Sequence, residues 1–362
     1  MRRRTASGSR LTKNPRPNFP QQLIQLASNE NPLGASPLAI RAGQKALGSS
    51  NRYPDTDGAD LAAALSEYHK IPAQNILLGN GSTELIDFAA RAFLRAGKNA
   101  VTSKGTFIVF PMAVRSAGAK LAEAPMREHR YDLDALAREV TRDTGLIYLA
   151  NPNNPTGTMF TADELDEFLA RVPAEIPVIL DEAYFEYVDE PGYSRSLEQV
   201  RRDPRLLVLR TFSKVYGLAG MRIGYAMGSP TLLAEVGRVR LPYNTSGVAQ
   251  AAALAALKDR EHVRKSVETN RAGRRQLREG LAKLGVPSVP SVTNFILVEF
   301  GYDTRALCGR LAERGVLVRP MGWMGFPEAI RISVGTRAEN EKFLQAMKYA
   351  IRPGKTNSPK AR

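Results

Sequence analysis

A lysine and an arginine stand close together near the middle of the chain, beside runs of apolar residues. The lysine ends the segment Thr211–Lys214, and Arg222 follows eight residues later. An acid, Asp181, ends the separate apolar run Val178–Asp181. A lysine with a hydroxyl beside it and an arginine nearby can hold a phosphorylated aldehyde as a Schiff base. A buried carboxylate needs a cationic partner, and a protonated ring nitrogen would serve.

A glycine-rich turn, Gly79–Glu84, precedes the helical stretch Leu85–Phe93. The start of a helix offers free backbone N–H groups and the positive end of its dipole, which suit a phosphate. Ser82 and Thr83 lie at this start, although capping of the helix explains them equally well. Glu84 replaces the third glycine of G-x-G-x-x-G, which disfavours a dinucleotide site. The turn is therefore compatible with a phosphate site and does not establish one by itself.

Apolar runs of strand length alternate with longer helical segments from about Leu23 onward. The predicted strands are Asn75–Gly79, Ala100–Ser103, Leu146–Ala150, Val178–Asp181, Leu206–Thr211 and Ile223–Met227. Thr161 and Glu164 have the spacing of a capping box, which predicts a helix between the third and fourth strands. The alternation predicts an α/β fold with a mostly parallel sheet covered on both faces. Because ligands bind at the carboxyl ends of such strands, the polar residues after each strand form the candidate site.

The pattern changes after about residue 235. Residues 250–284 predict one or two helices, followed by short strands at Asn294–Phe300, Val316–Arg319 and Ile330–Val334 and a final helix at Arg337–Ala350. This order predicts a smaller α+β domain. We expect an N-terminal arm over residues 1–30, a large domain over 31–235, a small domain over 236–352 and a basic tail over 353–362.

The formal net charge of +15 lies mostly at the two ends of the chain. Residues 1–29 carry six basic side chains and no acid, and so do residues 342–362. The body between them is nearly balanced. Solvated basic tails without the signature of a nucleic-acid-binding fold argue against a nucleic-acid partner.

The few cysteines and histidines argue against disulfide and metal chemistry. The single cysteine, Cys308, excludes a disulfide framework within one chain and a thiolate cluster. His69, His129 and His262 match no metal-binding spacing, so we expect no metal. No apolar stretch approaches the roughly 20 residues that cross a bilayer. We therefore expect a soluble, cytoplasmic protein without a membrane partner.

Eight short motifs between about Leu26 and Met347 carry a resemblance to a known family. They are Asn29–Gly34, Tyr53–Asp55, Gly79–Glu84, Asn153–Gly157, Asp181–Tyr184, Ser213–Lys214, Gly220–Gly224 and Arg331–Gly335. In this order and spacing they resemble the fold-type I (class I/II) aminotransferases that depend on pyridoxal 5'-phosphate (PLP). Within that group the chain is most similar to histidinol-phosphate aminotransferases. The resemblance implies PLP fold type I, an enzyme with PLP as cofactor, and a homodimer.

The resemblance also assigns cofactor chemistry to residues of these motifs. Lys214 would carry PLP as a Schiff base and move the proton of the substrate α-carbon, and Asp181 would keep the pyridine nitrogen protonated. Asn154 and Tyr184 would hydrogen-bond the ring oxygen. The cofactor phosphate would be held by Ser82, Thr83, Ser213 and Arg222.

Further residues are implied to contact the ring face, the partner subunit and the substrate. Phe107 would lie on the cofactor ring, although a core position is nearly as well supported. Tyr53 would reach the phosphate of the neighbouring subunit, which makes the active unit a homodimer. Arg331 would bind the anionic end of the substrate with its fork of donors. Asn29 and Asn31 would bind substrate from the segment that closes over it, and Asn154 would also contact it.

The chain departs from the family pattern around the substrate pocket. The N-terminal arm contains Phe19 but lacks the usual tyrosine, and Phe110 stands where a tyrosine is frequent. The stretch Lys104–Phe107 lacks the proline that commonly opens this turn. Trp323 belongs to a cluster that either forms an apolar wall of the pocket or packs in the core. Its other members are Met321, Met324 and Phe326.

The resemblance implies transamination between an amino donor and a 2-oxo acid acceptor. The first choice is histidinol phosphate with 2-oxoglutarate in histidine biosynthesis, and the second is an aromatic amino acid. A lyase similar to threonine-phosphate decarboxylase would share the same motifs and cleave a different α-carbon bond. A regulator that keeps the fold without turnover is the remaining alternative, and the set Lys214, Asp181 and Arg222 argues against it.

Overall fold

The computed structural model of the chain describes residues 23–351. The strands are β1 Ile24–Gln25, β2 Ile76–Gly79, β3 Asn99–Ser103, β4 Lys120–Ala124, β5 Met126–Arg127, β6 Arg130–Tyr131, β7 Thr144–Ala150, β8 Val178–Asp181, β9 Leu206–Thr211, β10 Gly224–Met227, β11 Phe295–Glu299, β12 Val316–Leu317, β13 Arg319–Met321 and β14 Phe326–Ser333. The α-helices are α1 Pro37–Leu47, α2 Ala59–His69, α3 Gly81–Phe93, α4 Val109–Ser116, α5 Leu133–Arg138, α6 Ala162–Arg171, α7 Ser196–Arg202, α8 Pro230–Gly237, α9 Gly247–Lys258, α10 Arg260–Lys283, α11 Arg305–Glu313 and α12 Arg337–Ala350.

Seven strands form the main sheet in the order β2-β10-β9-β8-β7-β3-β4. The pairs from β9 through β4 are parallel, and β10 runs antiparallel to both of its neighbours. The predicted α/β fold is therefore confirmed. All six predicted strands of this region are present, whereas β4, at the edge of the sheet, was not predicted. The predicted capping box at Thr161 and Glu164 begins α6.

The central strands alternate their apolar residues between two separate cores. On β7, Ile147 and Leu149 belong to one core, and Leu146 and Tyr148 belong to the other. Helices α2, α5, α6 and α9 cover the first face, and α3, α4 and α8 cover the second. A parallel sheet that is buried on both faces presents its functional groups at the ends of its strands.

The C-terminal part has its own sheet, in the order β11-β14-β13, with antiparallel pairing. Helices α11 and α12 pack on it around a third core that includes Phe343. The short strand β1 pairs in parallel with β12, and Leu26 joins this core. The segment that carries Asn29 is thereby held against the C-terminal part.

Helix α9 packs on the main sheet, although the sequence placed it after a boundary at residue 235. Its residues Ala249, Ala252 and Ala253 are buried in the first core. The long helix α10 then connects the cores, since Val263 packs against the first and Leu277 lies in the third. We propose that the division between the two units lies within α10.

Several expectations concern residues outside the described range. Most of the N-terminal arm, including Phe19, and the whole of the basic tail lie there. Among residues 23–351, no helix combines the length and apolar character needed to cross a membrane. The His, Cys, Asp and Glu side chains of this range form no group of three that could hold a metal ion.

Candidate functional site

A cavity of about 400 Å³ lies at the carboxyl ends of the central strands. Most of the predicted site residues line it, contributed by segments that are far apart in the sequence. They are Asn29, Ser82, Thr83, Phe107, Asn154, Asp181, Tyr184, Ser213, Lys214, Arg222 and Arg331. The cavity therefore brings together all of the predicted site residues except Asn31 and Tyr53.

Asp181 ends β8 and presents a buried carboxylate to the cavity. Its Oδ2 accepts a hydrogen bond from the Tyr148 hydroxyl at 2.8 Å, and its Oδ1 accepts one from the Ala183 amide at 3.1 Å. Burial raises the pKa of Asp181 to about 6, and the hydrogen bond from Tyr148 opposes this rise. Both hydrogen-bond donors to the carboxylate are neutral, and no cationic side chain donates to it. It can therefore pair with a cationic group that binds in the cavity.

Lys214 follows β9 and places its amine in the same cavity. Its Nζ lies 3.4 Å from the backbone oxygen of Asn29 and 5.5 Å from the centroid of the Tyr184 ring. Burial, with the charge of Arg331, lowers the pKa of Lys214 to about 8. Far more of this amine is therefore neutral near physiological pH than of an ordinary lysine, and the neutral form is the one that acts as a nucleophile or a proton acceptor.

The start of α3 offers donors that suit an anion. Ser82 and Thr83 occupy its first turn, where backbone N–H groups have no partner inside the helix. The Arg222 guanidinium approaches from the other side, and its Nη1 lies 3.4 Å from the Ser213 hydroxyl. Gly81 has φ of +74°, and a Cβ on it would lie 2.7 Å from Nη2 of Arg222. The absence of a side chain at Gly81 is what lets the arginine close this cradle.

Arg331 lines the same cavity and offers a second set of donors that suit an anion. Its Nη1 donates to Oδ1 of Asn154 at 2.5 Å, and its Nη2 donates to the backbone oxygen of Ala27 at 2.9 Å. Its Nε is buried and has no hydrogen-bond partner among the described residues. Burial lowers the pKa of Arg331 to about 10, which leaves it charged at neutral pH. A buried guanidinium with a free donor is suited to a carboxylate or a phosphate.

The asparagine at position 29 positions other groups of the site. Its Nδ2 donates to the Tyr184 hydroxyl at 3.0 Å, and Ser333 donates to its Oδ1 at 3.2 Å. Tyr184 is buried, and its hydroxyl proton stays available because the hydroxyl oxygen accepts from Asn29. Asn29 therefore orients the tyrosine toward the cavity.

The aromatic residues near the cavity divide into lining and core positions. Phe107 and Trp323 line the cavity. Met321 and Met324 are buried in a small core of the C-terminal part, against which Phe326 packs. Of the predicted apolar wall, only Trp323 faces the cavity, and the core alternative holds for the two methionines.

Asn31 and Tyr53 do not line the cavity of this chain. The Asn31 amide donates to the backbone oxygen of Val215 and to the Ser266 hydroxyl, both at 2.8 Å, and its Oδ1 accepts from Leu33 at 3.0 Å. Both of its N–H donors and its oxygen are thus engaged in holding the segment in place. Tyr53 is 82% exposed, and its ring stacks on that of Tyr243 with centroids 4.5 Å apart.

Several residues that line the cavity were not singled out from the sequence. Arg319 adds a cation beside Arg331, Glu30 adds a carboxylate, and Tyr148 contacts Asp181. Arg319 ends the predicted strand Val316–Arg319, so the carboxyl-end rule could have found it, whereas Glu30 lies in the motif Asn29–Gly34 and follows no predicted strand. Tyr148 could not be found in this way, because it belongs to the apolar pattern of β7.

Comparison with known proteins identifies relatives along nearly the whole chain. Residues 21–347 match the family model described as aminotransferase class I and II. Histidinol-phosphate aminotransferase 1 of Nitrosococcus oceani is 45% identical over 328 residues, which cover 91% of this chain and 89% of the relative. Histidinol-phosphate aminotransferase of an Anaeromyxobacter species is 47% identical over 327 residues, which cover 90% of both chains.

The solved structures that match have the same fold. The histidinol-phosphate aminotransferase of Sinorhizobium meliloti, solved in complex with pyridoxal-5'-phosphate, superposes with a TM-score of 0.87 at 32% identity and covers 91% of each chain. L-threonine-O-3-phosphate decarboxylase of Porphyromonas gingivalis, with a TM-score of 0.79 and 21% identity, shares the fold. The chain belongs to the aminotransferase class I and II family.

Proposed function

We propose that this enzyme is a PLP-dependent aminotransferase whose amino donor is histidinol phosphate and whose acceptor is 2-oxoglutarate. The observation that carries the proposal is that two separate groups of donors suited to anions line the cavity that also holds Lys214 and Asp181. One site, at Arg222 and the start of α3, suits the phosphate of the cofactor. The other, at Arg331, suits the anionic end of a substrate.

The residues of the cavity fit PLP group by group. Ser82, Thr83, Ser213 and Arg222 would hold its phosphate in the cradle that a side chain at position 81 would fill. Asp181 would hold the proton of the ring nitrogen, because an anion in a buried site favours a cation beside it. Tyr184 and Asn154 would hydrogen-bond the ring oxygen, and Phe107 would cover the ring face.

Bound PLP supplies an electron sink for the carbanion that forms when the substrate loses its α-proton. The other tasks belong to residues of this chain. Lys214 would bind the cofactor covalently and, once released, would move the proton from the substrate α-carbon to the cofactor carbon that takes the amino group, for which its lowered pKa suits it. Asp181 would keep a negative charge next to the ring nitrogen.

The substrate assignment rests on Arg331, on Arg319 and on the relatives. Arg331 has a buried and unpartnered Nε, and Arg319 brings a second guanidinium to the same end of the cavity. Two guanidinium groups suit the double charge of a phosphate ester better than the single charge of a carboxylate. The named relatives at 45% and 47% identity act on histidinol phosphate by their descriptions.

The active unit in this proposal is a homodimer. Tyr53 lies outside the cavity of its own chain and exposes most of its ring, as a residue that serves a neighbouring cavity would. A cytoplasmic location stays a prediction.

Spectra of the half-reaction test the proposed function. Purified protein with bound PLP is titrated with histidinol phosphate, phenylalanine and threonine phosphate, while the absorption of the cofactor is followed. We expect histidinol phosphate to convert the cofactor to its amino form at a far lower concentration than phenylalanine. The variant Lys214→Ala should lose turnover by at least about 10⁴-fold, because it lacks both the nucleophile and the base.

The outcome with each donor decides between the alternatives. Conversion by phenylalanine at the lower concentration would replace the substrate assignment by an aromatic one. Release of carbon dioxide from threonine phosphate would identify a lyase. Wild-type protein whose cofactor no donor converts would contradict the aminotransferase proposal.

The phosphate cradle is tested by Gly81→Ala with Gly118→Ala as the matched control. Both glycines have positive φ, +74° and +71°, but a Cβ at position 118 meets no atom within 4 Å. We expect Gly81→Ala to displace Arg222 and to raise the Kd of PLP about tenfold or more, the size of one lost charge-assisted hydrogen bond. Equal effects of both substitutions on the Kd would mean that backbone strain alone explains the loss.

A further inference from the structure

Tyr148 lies on β7 next to the strand that ends in Asp181. In the register of the sheet Tyr148 pairs with Ile179, and Ala150 pairs with Asp181. Tyr148 and Asp181 therefore lie on the same face of the sheet, two register positions apart along the strands. Both line the cavity. The tyrosine is fully buried, and its hydroxyl donates to Oδ2 of Asp181 at 2.8 Å.

The tyrosine ring is fixed in place independently of this hydrogen bond. It stacks on Phe110, with ring centroids 4.6 Å apart and an angle of 12° between the ring planes. Thr102 donates to its backbone oxygen at 2.8 Å. The hydroxyl thus approaches the carboxylate from a rigid support and loses little freedom when it donates.

We infer that Tyr148 is a positioning residue of the cofactor site, whose hydroxyl keeps the Asp181 carboxylate ionised and aimed at the ring nitrogen of the cofactor. The inference rests on the proposed function and adds to it a residue outside the eight family motifs. With the Ala183 amide on Oδ1 and Tyr148 on Oδ2, each carboxylate oxygen has one donor and the group cannot rotate freely. Both donors favour the anion over the acid.

The surroundings of Asp181 make this donor necessary. Burial works against ionisation of the carboxyl group, and the charge of Glu182 adds to the cost. Lys214 is the cation that favours the ionised form. The tyrosines that also face the group are Tyr131, Tyr184 and Tyr193, all with raised pKa because of burial and therefore neutral. Tyr148 is the one that donates to the carboxylate.

The variants Tyr148→Phe and Tyr148→Met test the inference in the holoenzyme. Both remove the hydroxyl, the first with the stacking kept and the second with different packing. Without the donor the pKa of Asp181 rises, so the carboxylate is lost at a higher pH as the solution is acidified. We expect the acid limb of kcat/KM to move upward by about one to two pH units, the size of a hydrogen bond to a charged group.

Affinity for PLP gives a second readout that does not depend on turnover. The Kd of PLP is measured by absorbance titration of the apoenzyme from about pH 5 to about pH 9. We expect its acid limb to shift with that of kcat/KM in both Tyr148 variants. Phe110→Leu, which loosens the stack and keeps the hydroxyl, should lower the melting temperature and move both limbs much less than either Tyr148 variant does.

The results separate this inference from the proposed function. The inference would be overturned if the acid limbs of kcat/KM and of the Kd of PLP stayed in place in both Tyr148 variants. It would also be overturned if they moved equally in Phe110→Leu, and Tyr148 would then be a packing residue. A shifted limb in the Kd of PLP would support it even if the wild-type protein transferred no amino group. In that case the proposed function alone would fail.

Discussion

Two acids, Asp181 and Glu182, follow each other at the end of β8, and they differ in whether a cationic side chain pairs with them. Glu182 is fully buried on the face away from the cavity, and Arg210 donates to its Oε2 from Nε at 3.0 Å and from Nη2 at 2.8 Å. Ser194 and Ser196 complete its hydrogen bonds at 2.5 and 2.8 Å. Asp181, on the cavity face, has two neutral donors and no such cation.

The difference separates a structural acid from a functional one. A buried charge whose partners all come from the protein is at its lowest energy without a ligand. A buried charge without a paired cation is costly, and it recovers that cost when a cationic ligand binds. Asp181 therefore belongs to the binding chemistry, whereas the pair of Glu182 and Arg210 anchors the strand end that carries it.

Neutralising the cavity acid gives the largest expected change in activity. Asp181→Asn should lower kcat/KM by about 10²–10⁴-fold, because the ring nitrogen loses its counter-ion. Steady-state kinetics with saturating PLP measure this. A loss of less than threefold would show that the enzyme does not use this charge.

The same substitution should stabilise the protein without cofactor. The folded pKa of Asp181 is about 6, above its ordinary value of 3.8. Because the unfolded chain loses this proton first, stability falls as the pH rises from 3.8 and is lowest above about pH 6. At neutral pH, apo Asp181→Asn should gain at most about 3 kcal/mol in unfolding free energy, and the gain should vanish in acid. Urea unfolding at both pH values checks the sign.

Removing the acid on the other face should do the reverse. Glu182→Gln leaves the buried Arg210 without its anion, which should cost about 3–5 kcal/mol of unfolding free energy. The double substitution with Arg210→Met should recover part of this loss. Asp163→Asn, which removes an exposed partner of Arg195, is the control and should change stability little. Equal losses for the buried and the exposed acid would contradict the comparison.

Strands are predicted correctly from the sequence where the apolar pattern of one segment is enough to identify it. The central strands were found because strands buried on both faces are continuous apolar runs. The edge strand β4, with the sequence Lys-Leu-Ala-Glu-Ala, pairs on one side only and is largely uncovered, so it carries no such run. Lys214 was singled out because it lies just after β9, and Arg222 because it lies between β9 and β10.

Predictions fail where a residue's partner is distant in the sequence. Asn31 belongs to a motif assigned to substrate binding, but its amide donates to the hydroxyl of Ser266, which is 235 positions away. Tyr148 lies in an apolar run that predicts a core position, and only the pairing of β7 with β8 brings it to Asp181. Helix α9 has no sequence signal for the core on which it packs. In each case the contact depends on the tertiary structure and not on local pattern.

Lys214 extends the comparison, because it is a second cavity group that lacks an oppositely charged partner in contact. Its pKa is about 8, lowered from 10.5 by burial and by Arg331. Since only the neutral amine attacks an aldehyde, capture of PLP by apoenzyme should speed up about tenfold per pH unit below pH 8 and level off above it. Stopped-flow absorbance measures the rate, with a free lysine derivative as the control that continues to accelerate above pH 8. A break near the ordinary lysine pKa would mean that burial does not prepare this amine for reaction. Arg331→Met should move the break upward, because it removes a neighbouring positive charge.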